Sequence, residues 1–242
     1  MDLTKFLDLI LNESLYFRRI DKFEDPYEGY ISSSYKTSLR NIMNDFQRDH
    51  NISIDKIDKI HKSRLYGQEL MPMYTYANCW YMSDVESAAM WKLYGENNNC
   101  IAICSTIHDL NAALVETPNT DGSIYLREIE YVNGSSPSNV NNWINPMLEK
   151  RTSFSHENEF RALYVLNKGL VNLSSADHIK EKKENICNSD GILIPVDVKI
   201  LINTIYISPT ASSNFPNIVK RILELTKFND IECIESVLYK LQ

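Results

Sequence analysis

The stretch FSHENEFRALYVL, residues 154–166, decides how this chain arranges its charge, because Glu157, Glu159 and Arg161 stand at alternate positions just before an apolar run. In a strand, residues two apart share a face. Ser155, Glu157, Glu159 and Arg161 would then line one side, with His156, Asn158 and Phe160 on the other. Two neighbouring carboxylates repel, which raises the pKa of one of them, and a nearby guanidinium offsets this. Such a pair suits a general base beside a hydrogen-bond acceptor for a ribose hydroxyl. The same spacing also fits an exposed strand edge, or a helical turn in which Glu157 and Arg161 pair at i,i+4.

Outward from this stretch, strands and helices mix without a regular βα rhythm or a glycine-rich phosphate loop. That predicts an α+β chain in one domain, residues 1–242, with a mixed or antiparallel sheet as a single core and flanking helices. A short helix is expected over 3–11 and a strand over 15–20, which runs into the turn EDPYEG at 24–29. Two helical patterns near 35–49 and 54–66 read as a helical hairpin inserted at about 34–68. Strands follow at 74–81, 100–104, 124–132, 160–166, 191–197, 202–208 and 231–234. Helices are expected over 140–151 and 212–227, with a polar excursion at 173–190. Ser83 and Glu86 form a capping box for a helix that ends before Gly95.

Composition narrows the class. The chain has 242 residues, 43% apolar and 24% charged, which are ordinary globular values. A net charge of −7 argues against a general nucleic-acid coat protein, since phosphate binding needs a basic surface. The first 17 residues carry acidic side chains within a short apolar stretch, and no run of about 18 apolar residues occurs, so neither a signal peptide nor a membrane span is expected. Five cysteines with no C-x-x-C pair fit free thiols in a reducing compartment. A cytoplasmic location follows as the expectation.

Other residues offer binding chemistry. Arg18 and Arg19, followed by Asp25 and Glu28 in DPYEG, would form an anion-binding corner; the two acids would equally serve as local turn caps. Met90, Trp91 and Tyr94 make an aromatic stripe at helical spacing that reads as core, while an exposed Trp91 or Tyr94 would stack a planar ligand.

Four blocks, LYFRRIDKFEDPYEG (15–29), NCWYMSDVESAAMWKLY (78–94), KRTSFSHENEFRA (150–162) and INTIYISPTA (202–211), together span nearly the whole chain. In order and spacing they resemble a widespread bacterial cytoplasmic family of unknown function, recognised by D-P-[FY]-E-G, S-A-A-M-W-K-L-Y and H-E-x-E-x-R-A motifs. The chain also resembles, more weakly, the ADP-ribosyltransferase-like fold, in which an E-x-E before a late strand holds the NAD ribose and activates the acceptor. That resemblance implies Glu159 as the catalytic carboxylate and Glu157 as its companion. Ser83 would be the hydroxyl of the middle strand, with Arg161, Arg18 and Trp91 around the site. It implies NAD as a substrate, no metal, and a protein or nucleic-acid acceptor, as for a toxin or an anti-phage effector. The family pattern has a short strand ahead of the equivalent of Asp2, so the expectation is a shortened or misassigned reading frame, or an inactive relative, with Arg18 or Arg19 having to substitute for that strand's arginine. Two alternatives stay open: a non-catalytic nucleotide or nucleic-acid sensor using Arg18, Arg19 and Arg151, and a nuclease-like effector gathering Mg²⁺ on Asp25, Glu28, Glu157 and Glu159.

Overall fold

The computed structural model describes residues 1–95, 98–114, 122–133, 140, 142–167 and 189–240. The predicted polar excursion at 173–190 lies outside them except for its last two residues. The described residues group into two compact units: one from Met1–Tyr16, Ser83–Pro118 and Leu193–Gln242, the other from Phe17–Met82 and Asn119–Ile192.

The second unit carries the main sheet. Its strands are β1 (Ser14–Arg19), β2 (Thr75–Tyr81), β4 (Gly122–Glu128), β7 (Glu159–Leu166) and β8 (Gly191–Pro195), in the order β4-β7-β2-β1-β8. The pairs β4–β7, β7–β2 and β2–β1 are antiparallel. The chain passes between the units within β1 and β8. One sheet face holds Ala77, Leu163 and Val165, which pack with Ile20, Met71, Ile144, Met147 and Leu148 into a buried core. Glu159 and Arg161 share that face at the far end of β7, and the polar side chains that meet them come from the loops covering it.

The inserted hairpin is present as α2 (Ser33–His50) and α3 (Ile54–Tyr74). Ser32 caps α2 by accepting from the Tyr35 amide, and Asn51 ends it in a left-handed conformation, the standard chemistry of a helix start and stop. Leu39 and Met43 from α2 meet Ile57 from α3 in a second cluster. The helix α3 continues eight residues beyond its predicted end at 66, through Gly67 and Pro72, because Leu70, Met71 and Pro72 are buried there. Tertiary burial outweighs the local cost of both residues.

The first unit opens with α1 (Leu3–Asn12), capped by Asp2, whose carboxylate accepts from the Lys5 amide at 2.8 Å. It then holds α4 (Ala88–Tyr94), β3 (Ile101–Cys104), α5 (Ile107–Ala113), α6 (Val198–Leu201), β9 (Thr204–Ile207), α7 (Phe215–Glu224) and β10 (Glu232–Glu235). The strands β10, β9 and β3 form a separate three-stranded sheet, with β10 parallel and β3 antiparallel to β9. A two-stranded parallel sheet of β5 (Glu130–Val132) and β6 (Glu149–Arg151) belongs to the second unit. The class is α+β with a main sheet and flanking helices, and the strands outside that sheet form these two smaller ones instead of extending it.

Three local expectations are corrected. The helix predicted over 140–151 is replaced, in its described part, by a 3-10 turn at Asn145–Met147 followed by β6. Pro146 and the Asn142 side chain, which accepts from the Ile144 amide at 3.2 Å, favour a turn there. The capping serine of α4 is Ser87, which accepts from Met90; Ser83 instead closes a local turn with Val85. Finally, α4 buries none of its residues, so Met90, Trp91 and Tyr94 are not core.

Gly29 ties the DPYEG turn to α3. Its φ is +71°, and an added Cβ would lie 2.7 Å from Pro72 Cγ and 3.0 Å from Ile20 Cγ2. Gly29→Ala combines left-handed strain with a clash, so it is expected to lower the unfolding free energy by about 2 kcal/mol in a urea titration. An unchanged midpoint would contradict the turn.

Candidate functional site

The pleat begins at Glu159. Residues Thr152–Glu157 form a 3-10 helix, and Asn158 turns the chain with a left-handed φ of 35°. Asparagine tolerates that region better than most residues. Two hydrogen bonds hold the turn to Met82: its amide donates to the Asn158 carbonyl at 2.9 Å, and the Asn158 side-chain amide donates to the Met82 carbonyl. Ser155 and Glu157 therefore do not lie on the strand, and the predicted four-residue face is limited to Glu159 and Arg161. Glu157 still reaches the same place, from the other side of the turn.

Arg161 is fully buried. Its Nε and Nη2 donate to Glu159, Nη2 also donates to Glu28 at 2.8 Å, and Nη1 donates to the Met147 carbonyl at 2.8 Å. Lys150, on β6, joins the same cluster. Its ammonium donates to Glu157 and Glu159 at 2.8 Å each and lies 3.4 Å from Glu28. The Tyr131 hydroxyl accepts from the Glu159 amide at 2.8 Å, and Cys79 stands opposite Arg161 in the β2–β7 ladder. Three carboxylates thus enclose two cations, both held below 10% exposure. An exposed strand edge and a helical turn are both ruled out for this stretch.

The electrostatics run opposite to the repulsion expected of paired acids. Burial alone would push the Glu159 carboxyl up, but the Arg161 charge and hydrogen bonds, the Cys79 thiol and Lys150 outweigh it and hold the pKa at about 2. Burial would likewise lower the Lys150 pKa, and its bonds to Glu157 and Glu159 and the charges of Glu159 and Glu28 raise it instead. At neutral pH Glu159 is therefore a carboxylate and Lys150 an ammonium.

Next to it, the DPYEG turn and Arg151 form a second group. Asp25 accepts from Arg151 Nε at 3.2 Å and Nη2 at 3.0 Å, and the guanidinium carbon lies 4.6 Å from the Tyr27 ring centre and 5.3 Å from that of Phe154. The Lys150 ammonium lies 5.2 Å from the same Phe154 centre. Alternation along β6 separates the two cations: Lys150 is turned inward, and Arg151 keeps 45% of its side chain exposed.

The structure therefore brings together Asp25, Glu28, Arg151, Glu157, Glu159 and Arg161 from the predicted residues. Arg18 and Arg19 are engaged elsewhere: Arg18 donates to the Lys22 carbonyl at 2.9 Å, and Arg19 is buried against Asp21 and the Ser189 carbonyl. Ser83, Trp91 and Tyr94 belong to the first unit, where the Trp91 indole donates to Glu86 at 2.9 Å. Lys150, Tyr27, Phe154 and Cys79 were missed. A cation next to Arg151 in a short strand, two residues from neither glutamate, leaves no periodic signal. Among the described residues no group of three or more His, Cys, Asp or Glu is set to hold a metal ion, and no helix is long and apolar enough to cross a membrane. Compared with protein-family models, curated proteins and solved structures, the chain gives no match.

Removing Arg161 would leave Glu28 and Glu159 buried without their counter-charge. Arg161→Met is expected to cost about 3–5 kcal/mol in urea unfolding, whereas Arg18→Gln, at the surface, is expected to change little. The pH dependence has a definite sign. The Glu159 pKa falls from 4.5 to about 2 on folding, so its stabilisation is complete above pH 4.5 and is lost as pH drops from there through about 2. Across that window the urea midpoint of the parent should fall toward that of Glu159→Gln, and a constant gap between them would refute the assignment.

Proposed function

We propose that this chain is an ADP-ribosyltransferase-like enzyme that cleaves the nicotinamide–ribose bond of NAD and transfers ADP-ribose to a protein or nucleic-acid acceptor, as a toxin or an anti-phage effector would. One observation carries the reading. Glu159 is a buried carboxylate kept ionised at the first residue of an interior strand, and Glu157, just across a one-residue turn, grips the same ammonium. The fold resemblance described above assigns its two carboxylate roles to these same glutamates.

The chemistry asks for a fixed negative charge where positive charge develops. As the C1′–N bond breaks, its electron pair leaves with nicotinamide and the ribosyl carbon becomes cation-like. A carboxylate already ionised and held by protein dipoles stabilises that centre without reorganising. The acceptor nucleophile then bonds to C1′, and Glu157, the more exposed of the two side chains at 14% against 4%, takes its proton. Lys150 occupies the position between the carboxylates, so the reading requires it to release at least one of them when the ribose enters.

A magnesium centre on Asp25, Glu28, Glu157 and Glu159 fits the donors less well. Their oxygens are spent on Lys150, Arg161 and Arg151, and a metal would displace three cations. The direct test is release of nicotinamide, followed by mass spectrometry, from NAD incubated with the purified chain and a bacterial lysate. Release is expected to survive a chelator and to fall at least ~100-fold in Glu159→Gln. Glu157→Gln should retain NAD cleavage and lose transfer to the acceptor. No release from the parent, or release indifferent to Glu159→Gln in a variant that still unfolds cooperatively, would sink the proposal.

A further inference from the structure

We infer that Arg151 is the oxyanion anchor of this site and takes the diphosphate of a nucleotide, a role the sequence left shared among Arg18, Arg19 and Arg151. The inference rests on the nucleotide reading of the site, though not on cleavage of NAD.

The geometry is that of a braced fork. A guanidinium carries five N–H donors, and Asp25 uses two of them, one on Nε and one on Nη2, along a single edge. No described group accepts from Nη1. The end edge, formed by Nη1 and the outer hydrogen of Nη2, is therefore open. The guanidinium packs against both Tyr27 and Phe154, which together with the Asp25 edge fix its orientation. What remains is an in-plane pair of donors, which matches two oxygens of a phosphate.

Stability does not account for this bracing. The Arg151 side chain is 45% exposed, and an ion pair at that exposure contributes little while ordering a long side chain. Preorganisation, by contrast, lowers the entropy lost when an anion docks. The other arginines named for this role are less suited to it. Arg19 is 6% exposed and bonded to Asp21 and the Ser189 carbonyl, and Arg18 holds the Lys22 carbonyl. Arg161 is closed off entirely. Position also favours Arg151: it follows Lys150 directly, and Phe154 lies against both cations, so an anion on Arg151 would dock next to the segment that carries the cluster.

The experiment is an isothermal titration of ADP, with inorganic pyrophosphate as a second probe, into the parent, Arg151→Gln, Arg151→Lys and Arg18→Gln. ADP is expected to bind the parent, with affinity lost roughly tenfold to a hundredfold in Arg151→Gln and partly in Arg151→Lys, where charge remains but the fork does not. Arg18→Gln should bind as the parent does. Thermal melts of the variants serve as the folding control, and Arg151→Lys supplies the second reading if Arg151→Gln unfolds. Equal ADP affinity in parent and Arg151→Gln, or no ADP binding to the parent, would overturn the assignment. Pyrophosphate binding as tightly as ADP would overturn its nucleotide part. The transferase reading fails separately: ADP binding that depends on Arg151, with no nicotinamide released from NAD, keeps the anchor and discards the reaction. Cleavage of NAD with an unchanged KM in Arg151→Gln does the reverse.

Discussion

A guanidinium without solvent contact needs its N–H donors met by protein, and Arg161 draws three separate segments together to do this. Glu28 comes from the DPYEG turn, the Met147 carbonyl from the 3-10 turn before β6, and Glu159 from its own strand. Glu28 and Met147 each fix a loop that covers the same sheet face. The apolar end of that face, around Leu163 and Val165, is closed by Met147 and Leu148. The turn that supplies these two side chains also supplies the carbonyl. Core packing and the ionic cluster are therefore mutually dependent, and neither loop can move without exposing a charge to an unpaired environment.

Lys150 makes the cluster more than a structural pair. Without it, Glu28 and Glu159 would share Arg161 and Glu157 would face no cation in the cluster. With it, three carboxyl side chains gather around two cations within a poorly solvated volume. The single-residue turn at Asn158 brings Glu157 and Glu159 to the same ammonium. The neighbouring Arg151 has the opposite character. Its charge is balanced by Asp25, and its value lies in direction, since what it presents outward is an oriented edge. The two adjacent cations of β6 thus divide their tasks by the two-residue period of a strand.

Much of this was legible in the residues. The α+β class, the helical hairpin, the β7 strand and the importance of Glu159 and Arg161 follow from periodicity, β-branched and aromatic content, and a charge pattern in step with a pleat. The meeting of DPYEG with the HENEFR run entered only through the donor set of the nuclease-like alternative, because Glu28 and Arg161 lie 133 residues apart and no local rule links them. Lys150 was hidden for a related reason: residues 140–151 carry a helix-like pattern, and the short strand that turns Lys150 inward exists because β5 pairs with it. Ser83 misled because it and Ser87 are both hydroxyl residues ahead of the same helix, and cap chemistry alone does not choose between them.

Under the transferase proposal, Glu159 would act from within this heavily compensated cluster. A carboxylate paired with Arg161 alone would be neutralised by a partner that has nowhere to go, since the guanidinium is bonded on every side. Lys150 differs, because its ammonium is held by side chains only, on a short strand that runs directly into the 3-10 helix that carries Glu157. An ammonium can withdraw from one carboxylate while keeping another, and the charge it vacates is of the kind a ribosyl cation presents. Arg161 would then keep Glu159 ionised throughout, and Lys150 would set the cost of admitting the ligand.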